Sequence, residues 1–516
     1  MRRITTYSRY FLGATLGCLL LLFGFHEVKA SHGMGANITY TCNGNGQYQV
    51  SLQFFRDCGG VSPFTSQTLT YSSATCGVNA TISMAQVGGA VDITPLCVSQ
   101  PSSCNGGGGP FGVEQWTYTG TLNLPPGCGN DWVLGWTECC RNSSVTTLSS
   151  PGSQNIYVNA SLNNTLTPCN NSPVFNNPPT PVVCANQPVS YSHGVSDPDG
   201  DSLRFSLVSC LQSAGGSVNY GGGFSGVSPL TTSGGVAIDP LTGTITFTPT
   251  TTQIGVMCVQ VDEYRNGVLI GRTVRDMQFR VINCTNNPPA VSGIDGTANY
   301  TVTVCVGSNF CFFANGSDPN GGDLVTLSWN SGIPAGSMSF TGNNTASPVA
   351  NFCWTPTLAD VGTNFFTITA RDNACPINGV STFSYIINVV GTSNTVSAGI
   401  DQQICAGQSV GLLATSSGAT SYSWSPAAGL SCTNCPNPTA SPSVTTIYTV
   451  SATFPSGCVL SDNVTVTVLP TPVVSISPGI VYTCPGSTVG LTANAPGATG
   501  FLWSTGATTS SISVTP

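Results

Sequence analysis

The chain has 516 residues, 40% apolar, 9% aromatic and only 6% charged, so it can bury cores but draws its solubility from Ser, Thr, Asn and Gly. That length exceeds one ordinary core and predicts roughly three to five domains, and the apolar fraction excludes a disordered polymer. The single lysine is Lys29, and beyond residue 30 the balance is 8 Arg against 19 Asp and Glu, which excludes nucleic acid and anionic membranes as partners, a lysine Schiff base and a lysine–asparagine cross-link.

Residues 1–30 read as a secretory signal peptide. MRRITTYSR is basic, YFLGATLGCLLLLFGF is an apolar run, and Val28-Lys29-Ala30 places small residues at −3 and −1 of a cleavage site. The run is short for a membrane span, which takes roughly 20 residues, and Thr15 before Cys18 makes a poor lipoprotein processing site. No later segment is apolar enough to span a bilayer as a helix. The expected location is therefore secreted or on the outer cell surface, with no membrane span after cleavage. Of 23 cysteines, 22 remain after cleavage, an even number in an oxidising compartment. Only His32 and His193 survive beside them, which favours disulfides over zinc.

Helical periodicity is almost absent beyond residue 31. Gln47–Phe55 (QYQVSLQFF), Gly243–Pro249 (GTITFTP), Asn364–Ala370 (NFFTITA), Thr446–Phe454 (TIYTVSATF) and Asn463–Leu469 (NVTVTVL) alternate apolar with polar residues. Period two with β-branched and aromatic residues means strands with one buried face. Many such strands between Gly, Asn and Pro signals predict an all-β chain of tandem disulfide-stapled β-sandwich domains.

Residues 31–171 form a first, Cys-rich β domain carrying FRDCGG (Phe55–Gly60) and WTECCRNSS (Trp136–Ser144). Its adjacent Cys139 and Cys140 are expected to point apart and pair separately. Asp131 and Glu138 are the best carboxylate pair for glycoside hydrolysis, and Trp116, Trp132 and Trp136 offer a sugar platform, although such residues are more often core. The glycines at 106–109 have no following lysine and read as a turn. Asn-Asn-Pro-Pro at 176–179 and 286–289 marks linkers, and residues 172–285 and 286–391 repeat one order of parts. SDPDGDSLRFSL (Ser196–Leu207) answers SDPNGGDLVTLSW (Ser317–Trp329), and each repeat closes with a long strand ending near acidic residues. Residues 392–470 and 471–516 form a second pair, in which GATSYSWSPAAGLSC (Gly418–Cys432) matches GATGFLWSTGATTSS (Gly497–Ser510). The last copy stops before its closing strands, so the sequence is expected to be a fragment of a longer chain.

SHGMGANITYTCNGNGQYQVSLQFFRDCGG and ECCRN resemble the N-terminal region of gliding motility-associated, C-terminal-domain-containing surface proteins of Bacteroidetes-type bacteria. The middle repeats resemble cadherin-like or Ig-like domains, and the last two resemble PKD-type Ig-like repeats, on the Trp strand, GLSCTNCPNP (Gly429–Pro438) and YTV. The resemblance implies cell-surface adhesion or gliding motility, export with the type IX secretion machinery as partner, and an extracellular glycan or protein ligand.

Asp197, Asp199 and Asp201 alternate around a Gly, the spacing by which carboxylates converge on a hard cation. Asp262 and Glu263, ending the repeat's last long strand, complete a candidate Ca²⁺ shell. It is not an EF-hand, since the twelfth position is Val208. The bland alternative is a turn favoured by Asp and Gly alone. In the second repeat the motif thins to Asp318, Asn320 and Asp323. Cys432 and Cys435 read as a short-loop disulfide rather than a redox pair, because a thioredoxin-like site needs a helix N-terminus. The Ig-like and cadherin-like resemblances suggest Cys405 with Cys458 and Cys353 with Cys375, with connectivity left open. Neither histidine has a nucleophile context. The reading is a non-enzymatic, exported, adhesin-like structural protein. A carbohydrate-binding module array and the non-catalytic front of a secreted hydrolase remain as alternatives.

Overall fold

The computed structural model describes residues 32–516 apart from 98, 107–108, 110, 126, 392–394, 456 and 472. The signal segment at 1–30 and two glycines of the 106–109 run therefore lie outside the described residues. The fold is all-β, with four short 3₁₀ turns and no α-helix among the described residues. No helix there is long and apolar enough to cross a membrane. The chain divides into two compact units. The first takes in the described residues up to 303 together with 308–356 and 362–388; the second holds 304–307, 357–361 and 389–516.

In the first unit, eight antiparallel strands close on themselves. Gly33–Gly44 pairs with Gln47–Asp57, which pairs with Val113–Asn123, followed by Val78–Gln86, Ser66–Ser73, Trp132–Glu138, Ile156–Leu162 and Val268–Ile282. The Val268–Ile282 strand returns to the first through Ala36 and Asp276. Closure leaves no free sheet edge in this ring. Alternate inward residues fill it, among them Tyr48, Phe54, Leu134, Trp132 and Trp136. The two longest hairpins turn on Asn45-Gly46 and Asn266-Gly267, all four residues at positive φ, the two-residue geometry that matches strand twist.

The Val268–Ile282 strand belongs to two structures at once. It closes the ring, and along its whole length it also pairs with Gln253–Arg265, which in turn pairs with Ser202–Val208. The ladder thus runs without a break past position 171, where the sequence reading ends the first domain. Arg141 of ECCRN reinforces the join by forking onto Asp276 at 2.9 and 2.6 Å, with both side chains buried. The facing three-stranded sheet is Val189–Tyr191, Ile245–Pro249 and Thr232–Ile238, packed over Phe205, Phe247, Met257 and Phe279.

The following sandwich has two four-stranded sheets. One runs Ala290–Val291, Phe310–Ser317, Val349–Trp354, Ser337–Thr341; the other runs Thr301–Cys305, Val380–Val390, Gly362–Arg371, Thr326–Trp329. Between them Phe312, Phe352, Phe366 and Tyr385 stack, with Phe352 and Phe366 centroids 4.5 Å apart. In the second unit, Gln402–Cys405, Val459–Leu469, Thr446–Thr453 and Ser421–Ser425 form a sheet over Trp424, Tyr448 and Val466. Three more strands, Ser475–Ser477, Val489–Asn494 and Ser511–Val514, bury one apolar residue among those described, Ala493. Ile480, Tyr482 and Leu502 there stay exposed.

Ten disulfides form among the described residues, leaving Cys405 and Cys484 as exposed free thiols. Cys432 joins Cys435. The other suggested pairings are corrected. Cys405 ends a strand in parallel register with Leu469, whereas Cys458 lies just before that partner strand begins at Val459. At about 3.3 Å per residue the two ends are some 30 Å apart, and a disulfide needs Cα atoms within about 7 Å. Cys458 pairs with Cys305 instead, both within the second unit. Cys353 stands directly opposite Cys311 in its own sheet and bonds to it. Cys375, in the loop after the other sheet's Gly362–Arg371 strand, pairs with Cys97, 278 residues away. Cys139 and Cys140 join each other, because the strand that would alternate their side chains ends at Glu138.

Candidate metal centre

Two acidic clusters occupy corresponding places in the two middle sandwiches. In the first, the chain leaves the Val195–Ser196 strand, turns through Asp197-Pro198-Asp199-Gly200-Asp201 and enters Ser202–Val208. Asp197 Oδ1 fixes this turn by accepting from the amides of Asp199 and Asp201 at 2.9 and 3.1 Å. Glu263 lies across the ladder opposite Leu203 and is wholly buried. Oxygens of Asp197, Asp201 and Glu263 lie within 4.8 Å of one another.

Of the five carboxylates expected to converge, three do. Asp262 is turned away because neighbours on a strand face opposite sides; it pairs with Arg272 at 2.6 Å. Asp199 is taken by the Asn171 amide at 2.8 Å, the Asn171 side chain at 2.6 Å and Arg265 at 3.1 Å. Arg265 also forks onto both oxygens of Asp201, at 2.7 and 2.6 Å. Its pKa is raised further by those hydrogen bonds, so it stays a fixed cation on one flank.

The other flank is unsatisfied. Glu263 Oε1 accepts from Asn170 Nδ2 at 2.5 Å, but Glu263 Oε2 and Asp197 Oδ2 are buried without a partner. Burial is the first cause lifting the Glu263 carboxyl far above its usual range, followed by the charge of Asp197. Burial likewise raises Asp197 to about 7, the neighbouring Asp201 and Asp199 adding to it. Such a cluster takes either protons or a hard cation. Its donor set is all oxygen, which suits Ca²⁺ and not a softer metal. Gly271, opposite Glu263, makes room for it, since a Cβ there would lie 2.5 Å from Oε2. A cleft of about 400 Å³ lined by Asp197, Gly200, Asp201 and Arg204 gives access from solvent.

The second cluster joins Asp318, Asp323 and Asp372. Asn320 stands outside it, accepting from the Asn287 amide at 2.8 Å. Asn286 donates to Asp372 at 2.8 Å just as Asn170 donates to Glu263. Sequence reading missed Asp372, Asn170 and Asn286. The signal was there for Asp372, which follows the last residue of its long strand, as Glu263 lies near the end of the other. Asn170 lies at the end of the first domain and Asn286 opens a linker motif, and neither position carried a sign of a metal site.

The N-terminal carboxylates do other work. Asp131 accepts from Ser73, Thr75 and the amides of residues 74 and 75, and these bonds hold its pKa down at about 2. It precedes the Trp132–Glu138 strand and Glu138 ends it, so they are about 20 Å apart. Glycosidase pairs need roughly 5–9.5 Å. Trp132 and Trp136 are buried core, Trp132 bonding Asn164 at 3.2 Å and Trp136 bonding Gln67 at 3.1 Å. Trp116 is covered by Arg56, 5.9 Å over its ring. The alternative of a sugar platform does not form, and Trp132 and Trp136 take the commoner core role. His193 is also buried core, between Arg275, Tyr191 and Phe175.

No family model and no curated protein sequence matches this chain. Among solved structures it is similar to a three-Ig fragment of titin (11% identity, 58% of this chain and 98% of that one, TM-score 0.18). The eight N-terminal Ig domains of Down syndrome cell adhesion molecule match at 11% identity over 86% of this chain and 56% of that one, TM-score 0.17. An endo-fucoidan hydrolase of glycoside hydrolase family 107 matches at 14% identity over 59% and 45%, TM-score 0.17. TM-scores this low assign neither family nor activity, and the function is argued from the chain's own residues.

Proposed function

We propose that this chain is a non-enzymatic, exported structural protein of the cell surface, adhesin-like in role, whose sandwiches act as a stapled stalk. The observation that carries the reading is the Cys97–Cys375 bond, which ties the N-terminal ring to the second middle sandwich across 278 residues. A link of that span makes sense only where thiols are oxidised, and it restrains the chain against unfolding and proteolysis. The paucity of cationic residues works in the same direction, since trypsin-like proteases find no lysine beyond residue 30. The resemblance of the N-terminal motifs to gliding-associated proteins supports a part in attachment or gliding, and with it export by the type IX machinery.

Ca²⁺ is proposed as the ion of the Asp197–Asp201–Glu263 cluster, completing a shell that Asn170 and Arg265 hold in place. There it fastens the turn at 197–201 to the strand that carries Glu263. The test of the surface reading is antibody labelling of intact cells, paired with attachment and spreading assays on cells lacking the gene. Labelling without permeabilisation and loss of attachment are expected. A protein reached only after lysis, or cells that attach and spread normally, refutes it.

A further inference from the structure

A different part of the first unit carries a cleft that the stalk reading does not use. A cleft of about 210 Å³ lies where the segment at 178–183 faces the strands carrying Thr326 and Arg371. Four of the described arginines, 56, 141, 265 and 272, hold carboxylates. Arg204 and Arg275 donate to carbonyls, and Arg280 lies over the Phe111 ring. Arg371 alone among the described arginines makes no hydrogen bond, ion pair or ring contact, and its side chain is exposed in this cleft. Its neighbour Asp372 acts on it only through its charge, with no ion pair or hydrogen bond between them. The two alternate across the strand end, and the Asp372 oxygens are held by Asn286, Ala374 and Gly379.

A second, independent observation falls in the same cleft. Thr180 lines it at 3% exposure, and its buried Oγ1 has no partner. A buried hydroxyl left without a hydrogen bond is destabilising, so a ligand atom that satisfies it is favoured. Pro181, Val182, Val189 and Val380 supply apolar wall. Most of the remaining polar groups are engaged: Thr369 and Thr382 bond each other at 3.0 Å, Tyr191 donates to Pro178 O at 2.6 Å, Asn378 donates to Ala374 O at 3.3 Å, and Ser190 donates to Thr382 O at 2.8 Å, which leaves the Thr326 and Ser328 hydroxyls at the exposed side. A sugar acid would bring more hydroxyls than these two can meet. The cleft is also smaller than the roughly 300–1,000 Å³ of sites for drug-sized ligands.

We propose that this cleft binds a small carboxylate with an aliphatic body, the Arg371 guanidinium forking onto the carboxylate and the Thr180 hydroxyl donating to it. The proposal stands whether or not the stalk reading does. The experiment is ligand-observed NMR titration of the oxidised full chain with N-acetylleucine, with N-acetylleucinamide as the uncharged match and glucuronate as the polar acid. N-acetylleucine is expected to bind about tenfold or more tightly than the amide, and glucuronate weakly. Arg371→Gln abolishes the preference for the acid, and Thr180→Val weakens acid binding a few-fold, both with unchanged circular dichroism melts. Absence of acid binding, equal binding of acid and amide, a preference retained in Arg371→Gln, or glucuronate binding as tightly as N-acetylleucine overturns the proposal.

Discussion

Replacing Arg141 by Ala removes one half of a wholly buried ion pair and leaves Asp276, at 0% exposure, with a charge and no partner. It also strips the carbonyls of Asn155 and Leu211 of a donor each. Breaking a buried pair on one side costs about 3–5 kcal/mol, well above the ~1 kcal/mol typical of a substitution. The pair sits where Ala36 meets Asp276, so the loss falls on the closure of the eight-strand ring. Trp132 and Trp136 fill that ring and report its unfolding by fluorescence. With a urea slope of about 3 kcal/mol per molar, the midpoint of that transition should fall by roughly 1–2 M. The pair Arg141→Met with Asp276→Leu removes both charges and should recover most of the loss. A single-variant shift worth less than about 1 kcal/mol, or a double variant no better than the single, would refute the claim that this pair locks the ring to the shared strand.

Three further outcomes follow from the site geometry. Asp197 and Glu263 have folded pKa values raised above their unfolded ones, so without metal their contribution is fully present below about pH 4 and is lost as pH rises through about 7 and beyond. Ca²⁺ should therefore raise the melting temperature at pH 8 and hardly at all at pH 5, and Glu263→Gln should weaken that response; a Ca²⁺-insensitive melt at pH 8 counts against the site. Gly271→Ala, whose Cβ would crowd Glu263 Oε2, should blunt the Ca²⁺ response in the same melts, and an undiminished response would contradict the close approach. Burial, with Arg275 beside it, holds the His193 pKa well below 6.5. Its contribution is thus present above about pH 6.5 and is lost as pH falls below that; in His193→Asn, denaturant melts should lose this acid slope between about pH 6.5 and 5.

The alternation of QYQVSLQFF is the burial pattern of its strand, and the repeated Ser-Asp-Pro turns mark two sites that the fold builds alike. What escaped the sequence is whatever depends on pairing between distant segments. The Val268–Ile282 strand buries both faces and carries Thr273, Arg275, Asp276 and Gln278 inside, so it lacks the period-two signature of a shared central strand. Alternation could have removed Asp262 from the metal set, since it adjoins Glu263 on one strand. Arg265 could not be placed without knowing that its hairpin end lies over the turn at 199–201. The short-loop Cys432–Cys435 bond was legible because it is local, whereas the pairing of Cys375 was not: it finds Cys97 through the fold of the whole first unit.

The most direct test of the stapled surface stalk is non-reducing peptide mapping of the protein taken from the outside of intact cells. A peptide holding Cys97 bonded to Cys375, and another holding Cys305 bonded to Cys458, are expected. Reduced cysteines at these positions, or Cys375 bonded within its own sandwich to Cys353, would contradict it.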